Sequence, residues 1–513
     1  MSQCTSKQAP SATQSKPALC VNAQSMPRII KYLALIALSL LYCNASYGHS
    51  FGQTYTLPVP LSLYLYGSAA ALAVSFLVFG YFLRADNLQA NSSIRMNIPN
   101  ALISALRSAK PWVQGFSVFM LLLCTATGLL GNRNPYGNFN MTFFWVIFVL
   151  AYAYFCALTG NSYQWLNPWK ILSDGIGRFY KPYQQGLFNW PARLNYWPAT
   201  ILYMVFIWLE LFGTATPLSL SKYLLAYTVL NLLAAGLVGI RNWYKYGELF
   251  SVLLMLLSKM SFVCRRTAKE NTGPSAVIQS PFIHLNRSAP SELSLLAFIL
   301  CMLASTAFDG LHESQLWIRT FWVDLNPYFQ PYVGTNPFSA YPKLRTLYLI
   351  YQTMCLVLLP LLYFLIYYGF IALSKYIVNS SFTSKQLALH FAYSLLPIVL
   401  AYHLSHYYPL VQTQGIKIIS LASDPFGIGM NIFATAEWFR APIIPNVETV
   451  WHAQLALIVL GHIMSVYIAH RQALELFGSK RQAMLSQIPM LVLMIAFTVA
   501  GLWILSLPMG NPS

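Results

Sequence analysis

Charge is scarce in this sequence, and acid is scarcer still. Only 9% of the 513 residues are charged, with 13 Asp and Glu against 31 Lys and Arg. Soluble domains carry roughly 25% charged residues, so a chain solvated by water on all sides is excluded. The eight cysteines contain no CxxC pair, which argues against a zinc ribbon or a disulfide framework, and CxxCH, the attachment signal for c-type haem, is missing. Cys124, Cys156, Cys301 and Cys355 fall inside apolar runs, where cysteine behaves as a small hydrophobe. Walker A, GxGxxG and HExxH patterns are absent, so the usual marks of a soluble nucleotide-binding or zincin domain are lacking. The net charge of +18 would suit nucleic acid. Its distribution points elsewhere: the basic residues sit in short loops between apolar runs, as orientation in a membrane requires, and no nucleic-acid partner is expected.

What abounds is apolar sequence: 57% of residues are hydrophobic. A bilayer-spanning helix needs ~20 apolar residues, with a range of about 17–25. Runs of this kind occupy Leu61–Leu83, Pro111–Leu130, Met141–Leu158, Trp197–Phe212, Leu224–Ile240, Leu293–Phe308, Thr346–Leu373, Leu387–Tyr408, Val450–His470 and Pro489–Leu507. They predict an all-α, polytopic transmembrane helical bundle of about ten spans in a lipid bilayer. Leu249–Val263 is shorter and has basic stretches on both sides, which reads as a re-entrant or interfacial segment.

The amino end adds a processing signal. Met26–Lys31 is a basic n-region, Tyr32–Tyr42 a short apolar h-region, and Ser46 and Gly48 supply small residues at −3 and −1 of a cleavage site. Residues 1–48 are therefore expected to be an extension plus signal peptide, leaving His49 as the mature N-terminus. An N-terminal histidine offers its α-amine and a ring nitrogen to one metal ion, the copper "histidine brace". Counting Lys and Arg over the mature chain gives 20 in the inner loops and seven outside (Arg133, Lys222, Arg319, Lys343, Arg345, Lys417 and Arg440). The expectation is a multi-pass protein of a bacterial inner membrane with the mature N-terminus and the C-terminus periplasmic. A cytoplasmic linker, 264–292, with Arg265, Arg266 and Lys269, divides the membrane halves 49–263 and 293–513.

Chemistry-bearing groups converge on the outer side of this topology. They are His49, Asp309, His312, Glu313, His403, His406, Asp424 and His452. His403 and His406 stand three apart and share a helical face, and His452 opens a later span at the same surface. Neutral imidazoles with a carboxylate suit copper or zinc, so His49, His403, His406 and His452 are the candidate metal ligands. Glu210, His462, His390 and His470 extend from near the outer face to the inner one and are a candidate proton or ion path. His403, His452, His390 and His470 are also the residues that paired ligation of b-type haem would use.

Several stretches carry a family resemblance. They are His49-Ser-Phe-Gly-Gln with Leu57-Pro-Val-Pro60, Asn167-Pro-Trp169, Phe308-Asp-Gly310, Pro397-Ile-Val-Leu-Ala-Tyr-His-Leu-Ser-His-Tyr407, Ser423-Asp-Pro-Phe-Gly427, Gly461-His462 with Ala469-His470, and Ser486-Gln-Ile-Pro-Met490. Their order and spacing resemble the bacterial polytopic membrane proteins labelled fenitrothion hydrolase-like, from about His49 to the C-terminus. Many members have His-Gly at the processed end where this chain has His49-Ser50. The resemblance implies hydrolysis of an organophosphorus triester, with other membrane subunits as partners. A metal-bound water would be the nucleophile, and Asp309 or Asp424 would orient or deprotonate it. The alternatives from another class are a copper or other metal permease and a membrane haem protein.

Overall fold

The computed structural model describes residues 48–50, 53–55, 59–83, 96–97, 99–265, 276–278, 285, 290, 292–439, 443, 446–477 and 479–507. The signal segment before residue 48, and most of the 264–292 linker with His284, lie outside the described residues. In chain order the main helices are α1 (Leu61–Phe82), α2 (Asn100–Leu130), α3 (Phe139–Thr159), α4 (Pro168–Phe179), α5 (Trp197–Phe212), α6 (Pro217–Val238), α7 (Leu249–Ser258), α8 (Leu293–His312), α9 (Pro337–Val378), α10 (Leu396–Gln414), α11 (Val447–Phe477) and α12 (Lys480–Ser506). Helix α10 is the middle of the continuous apolar stretch Ser384–Ser423.

Among the described residues, nine helical segments are long and apolar enough to cross a bilayer: α1, α2, α3, α6, α8, α9, the stretch containing α10, α11 and α12. The fold is thus an all-α, multi-pass membrane bundle, because a lipid-embedded chain must satisfy its backbone within each helix. The remaining expected span, α5, forms over the same residues, Trp197–Phe212, and is 16 residues long. That is ~24 Å at 1.5 Å per residue, against a hydrocarbon core of ~30 Å.

Helix α7 is different in kind. Its 10 residues reach only ~15 Å, too short to cross. Apolar side chains surround it on nearly every side, and Leu249, Phe250, Val252, Leu253, Leu254, Leu256 and Leu257 are buried, with α3 and α5 among the elements packed against it. A helix start inside a bundle needs partners for its free N–H groups. Glu248 supplies them: its carboxylate accepts from the backbone N–H of Phe250 (3.0 Å) and Ser251 (2.7 Å), from Asn167 Nδ2 (3.0 Å) and from the Tyr227 hydroxyl (2.5 Å). Conventional caps start other helices. Thr216 and Ser219 form a capping box on α6, with Pro217 in the first turn, where its missing N–H costs nothing.

The burial pattern separates inner helices from lipid-facing ones. In its most apolar stretch α8 has 83% of residues buried and the α10 segment 72%, whereas α2 has 17%. The two inner helices pack against each other, α10 also lies along α11, and α5 packs on α8. Close approach of α10 and α11 rests on Gly461, where an added Cβ would strike the Ala401 side chain and the Pro397 carbonyl. Helices α1, α11 and α12 are mutual neighbours, so the halves 49–263 and 293–513 interleave within residues 43–513, which pack as one unit. Two small antiparallel pairings complete the structure: Gly48–Ser50 with Gln53–Tyr55, and Ala276–Ile278 between Met96–Asn97 and Val263–Arg265.

Candidate carboxylate–imidazole site

The site forms where the C-terminal parts of α5 and α8 meet the middle of α10. Helix α8 brings Asp309 and, one turn later, His312; Glu313 follows directly. Helix α10 brings His403, His406 and Tyr407. Helix α5 contributes Glu210 two residues before its end. The i, i+3 and i, i+4 spacings put each set on one helical face, and the packing of α8 against α10 turns those faces together.

Asp309 is the hub, and it is 6% exposed. Its Oδ2 accepts from His406 Nε2 at 2.8 Å and from the Tyr407 hydroxyl at 2.7 Å. The same hydroxyl lies 3.2 Å from Glu210 Oε1. A phenol has one proton to give, so one hydroxyl bridges two carboxyl groups and its shorter bond goes to Asp309. On the other side of Asp309, Oδ1 stands 3.8 Å from His312 Nδ1, and that nitrogen is 2.8 Å from the Asp309 carbonyl. No lysine or arginine pairs with Asp309 or Glu210 among the described residues; their polar partners are imidazole and phenol.

One ligand atom each from Asp309, His312 and Glu313 lie within 4.8 Å of one another. One imidazole with two carboxylates is a donor set that zinc accepts, and one carrying less nitrogen than copper favours. His406 and Tyr407 both hold Oδ2 of Asp309, while Oδ1 is the oxygen nearer His312. Such backing contacts fix a liganding carboxylate and raise the affinity of a site.

Two spaces adjoin this network. A narrow, more enclosed cavity of about 30 Å³ is lined by Glu210, Asp309, His403, Tyr407, Tyr203 and Ser305 among apolar neighbours. A water needs about 10–15 Å³ by this measure, so the cavity holds one or two waters and nothing larger. A more open cleft of about 390 Å³, bordered by Trp145, Thr214 and Tyr223, shares only Glu210 and Tyr407 with it. Glu210 and Tyr407 therefore stand between the open space and the narrow one.

The structure distributes the remaining sequence-derived candidates as follows. His403 lies on the narrow cavity, with Nδ1 3.1 Å from the Tyr154 hydroxyl and its ring 4.8 Å from that of Tyr407. His452 is exposed; its Nδ1 lies 2.8 Å from the Glu448 carbonyl and its ring packs edge-on to Tyr64. It is not part of the Asp309 group, and nor is His403. His49 is in the short strand Gly48–Ser50, and its side chain lies outside the described residues. Asp424 shapes its own loop, accepting from the backbone N–H of Ile428 (3.1 Å) and Gly429 (2.8 Å). His390 Nε2 faces the Gln472 carbonyl at 3.3 Å. His462 holds the Ile458 carbonyl through Nδ1, but its Nε2 and both ring nitrogens of His470 are buried without partners.

Tyr407, Tyr154 and Glu248 were not among the residues singled out from sequence. Tyr407 carries a usable signal, since it follows His406 in an otherwise apolar run. Glu248 carries another: an acid directly before Leu249 stands where a helix N-cap belongs. No known family, no curated protein and no solved structure matches this chain.

Proposed function

We propose that this is a bacterial inner-membrane protein that captures a divalent transition-metal ion at its periplasmic side through Asp309, His312 and Glu313. The observation that carries this reading is the Asp309 carboxylate, buried in the bundle with one oxygen held by His406 and Tyr407, the other 3.8 Å from His312 Nδ1, and ligand atoms of His312 and Glu313 within 4.8 Å. Ionisable groups in membrane helices are costly and usually functional. Zinc fits the one-imidazole, two-carboxylate set, which carries less nitrogen than copper favours.

Passage of the ion fits the surroundings better than hydrolysis does. The space against Asp309 takes a water or two, far below what a phosphotriester needs. Beside it, Glu210 and Tyr407 form a polar step between the two cavities, and elsewhere in the bundle His462 and His470 carry buried nitrogens without partners. The Tyr407 hydroxyl lies within reach of both carboxyl groups, 2.7 Å from Asp309 and 3.2 Å from Glu210, so a change of charge at Asp309 on ion entry would be felt at Glu210 through Tyr407.

A hydrolase reading rests on the open cleft of about 390 Å³, which is within the ~300–1,000 Å³ of small-molecule sites. There a bound metal would supply an activated water, and Glu210 and Tyr407 would meet the substrate. The test uses the purified chain in proteoliposomes. Uptake of zinc that is lost in Asp309→Asn, with no turnover of a chromogenic phosphotriester, supports passage. Metal-dependent triester turnover without uptake overturns it in favour of hydrolysis.

A further inference from the structure

At the opposite end of α5 the bundle has a second polar space. Tyr196, just before the first residue of α5, lines a cleft of about 720 Å³, whereas Glu210 lies 14 positions further along the sequence, ~21 Å along the helix axis. The charge pattern of the sequence assigns this end to the cytoplasmic side. The cleft is walled by α4, the segment before it, and the helical turn Ile240–Gly247 that leads toward α7.

Its charge is one-sided. Lys170, Arg241 and Lys245 line it against a single acid, Asp174. Lys170 is already paired with Asp174, Nζ to Oδ2 2.6 Å. Arg241 and Lys245 are exposed, four residues apart on one face, and neither has a carboxylate partner among the described residues. Neutral amides of Gln164 and Gln184 border the same space. Two of the residues lining it, Asn161 and Tyr163, carry buried polar atoms, Oδ1 and the phenol oxygen, that lack hydrogen-bond partners. Each orphan of this kind costs free energy unless something satisfies it.

The rim is held in place. Gly186 and Gly239 both have positive φ, 82° and 86°, and their backbones touch so closely that a Cβ on Gly186 would strike the Gly239 nitrogen. The Phe188 N–H then donates to the Leu237 carbonyl at 2.8 Å. The cleft therefore exists before anything enters it.

Its level relative to the bilayer is marked by what stands beside it. Phe179 at the end of α4 is 95% exposed, and Leu187 and Phe188 on the following turn are 70% and 64% exposed. Aromatic and apolar side chains of this kind belong at the boundary of acyl chains and headgroups, and they would meet the tails of a lipid whose headgroup reached the cleft.

We propose that this cleft binds the phosphate-bearing headgroup of an anionic phospholipid, with Arg241 and Lys245 as the phosphate donors. Neither cation has a carboxylate partner among the described residues, though Lys245 Nζ rests 4.5 Å from the centroid of the Tyr246 ring; cations so placed in a cleft at the inner interface recognise such a group by charge and by N–H donation. The site is independent of the Asp309 network, and neither cation belongs to it.

The experiment uses the full-length protein, delipidated in detergent and examined by native mass spectrometry. Phosphatidylglycerol, phosphatidylcholine with the same acyl chains, and glycerol 3-phosphate are added separately. The expected result is a retained phosphatidylglycerol adduct, weakened about thirtyfold in Arg241→Gln/Lys245→Gln. The charge-matched control Lys375→Gln/Lys385→Gln keeps it, and phosphatidylcholine is not retained. Binding of glycerol 3-phosphate with the same loss in the first variant upholds the phosphate site and assigns it a soluble occupant. Equal retention of phosphatidylglycerol by both double variants, or equal retention of phosphatidylcholine, overturns the proposal. Both cations are exposed, and a thermal unfolding curve matching wild type certifies the fold of each variant.

Discussion

Replacing Tyr407 by Phe isolates the part of the site that positions Asp309. The substitution removes one oxygen and keeps the ring, so the ring contacts with His403 (4.8 Å) and His406 (4.7 Å) remain. What disappears is the 2.7 Å donation to Asp309 and the 3.2 Å contact with Glu210. A hydrogen bond to a charged group contributes about 1.5–3 kcal/mol. Loss of an outer contact to a metal ligand typically lowers affinity 10–100-fold, which is about 1.4–2.7 kcal/mol. The two routes agree, so Tyr407→Phe should weaken zinc binding by about one to two orders of magnitude. Isothermal titration of the detergent-purified protein reads this directly. The double variant with Asp309→Asn should bind no more weakly than Asp309→Asn alone, because the phenol acts through that carboxylate. An affinity within about twofold of wild type, while Asp309→Asn abolishes binding, would refute the positioning role.

Further outcomes follow from other residues. Glu248→Ala strips the start of α7 of an acceptor for four donors; at about 1–3 kcal/mol per unsatisfied buried group, thermal unfolding in detergent should show destabilisation of at least ~3 kcal/mol. Asp424→Ala should lower stability by about 1–2 kcal/mol through its two lost backbone contacts yet leave metal content unchanged; a drop in bound metal would return Asp424 to the site. His470→Leu removes two buried, unpartnered nitrogens, so unfolding should occur at the same temperature or higher, whereas zinc flux in proteoliposomes should fall if His470 lies on the path.

The spans were legible because a bilayer leaves helices no choice: Trp197–Phe212 reads from its apolar run alone and forms over the same residues. The shared face of His403 with His406 was legible too, since 3.6 residues per turn fixes angles within one helix. What the periodicity does not encode is how one helix is rotated against the next. A lipid-facing helix carries no polar stripe to mark its outer side, so the contact of His406 with Asp309, 97 positions away, needed the packing of α8 against α10. The same limit applies to His452. It begins its span where expected, but its ring turns to Tyr64 and the Glu448 carbonyl. The role of Tyr407 was hidden for a related reason, since a tyrosine in an apolar run reads first as an interfacial residue.

In the proposed site Asp309, His312 and Glu313 hold the metal, with His406 and Tyr407 behind them. Metal content by mass spectrometry, per protein, tests it on two triple variants purified in parallel after zinc loading. The expected result is that Asp309→Asn/His312→Ala/Glu313→Gln loses the bound ion, while His403→Ala/His452→Ala/Asp424→Asn retains it at the wild-type ratio. Retention by the first triple variant, folded and stable, together with loss from the second, would overturn this assignment and place the metal on the other histidines.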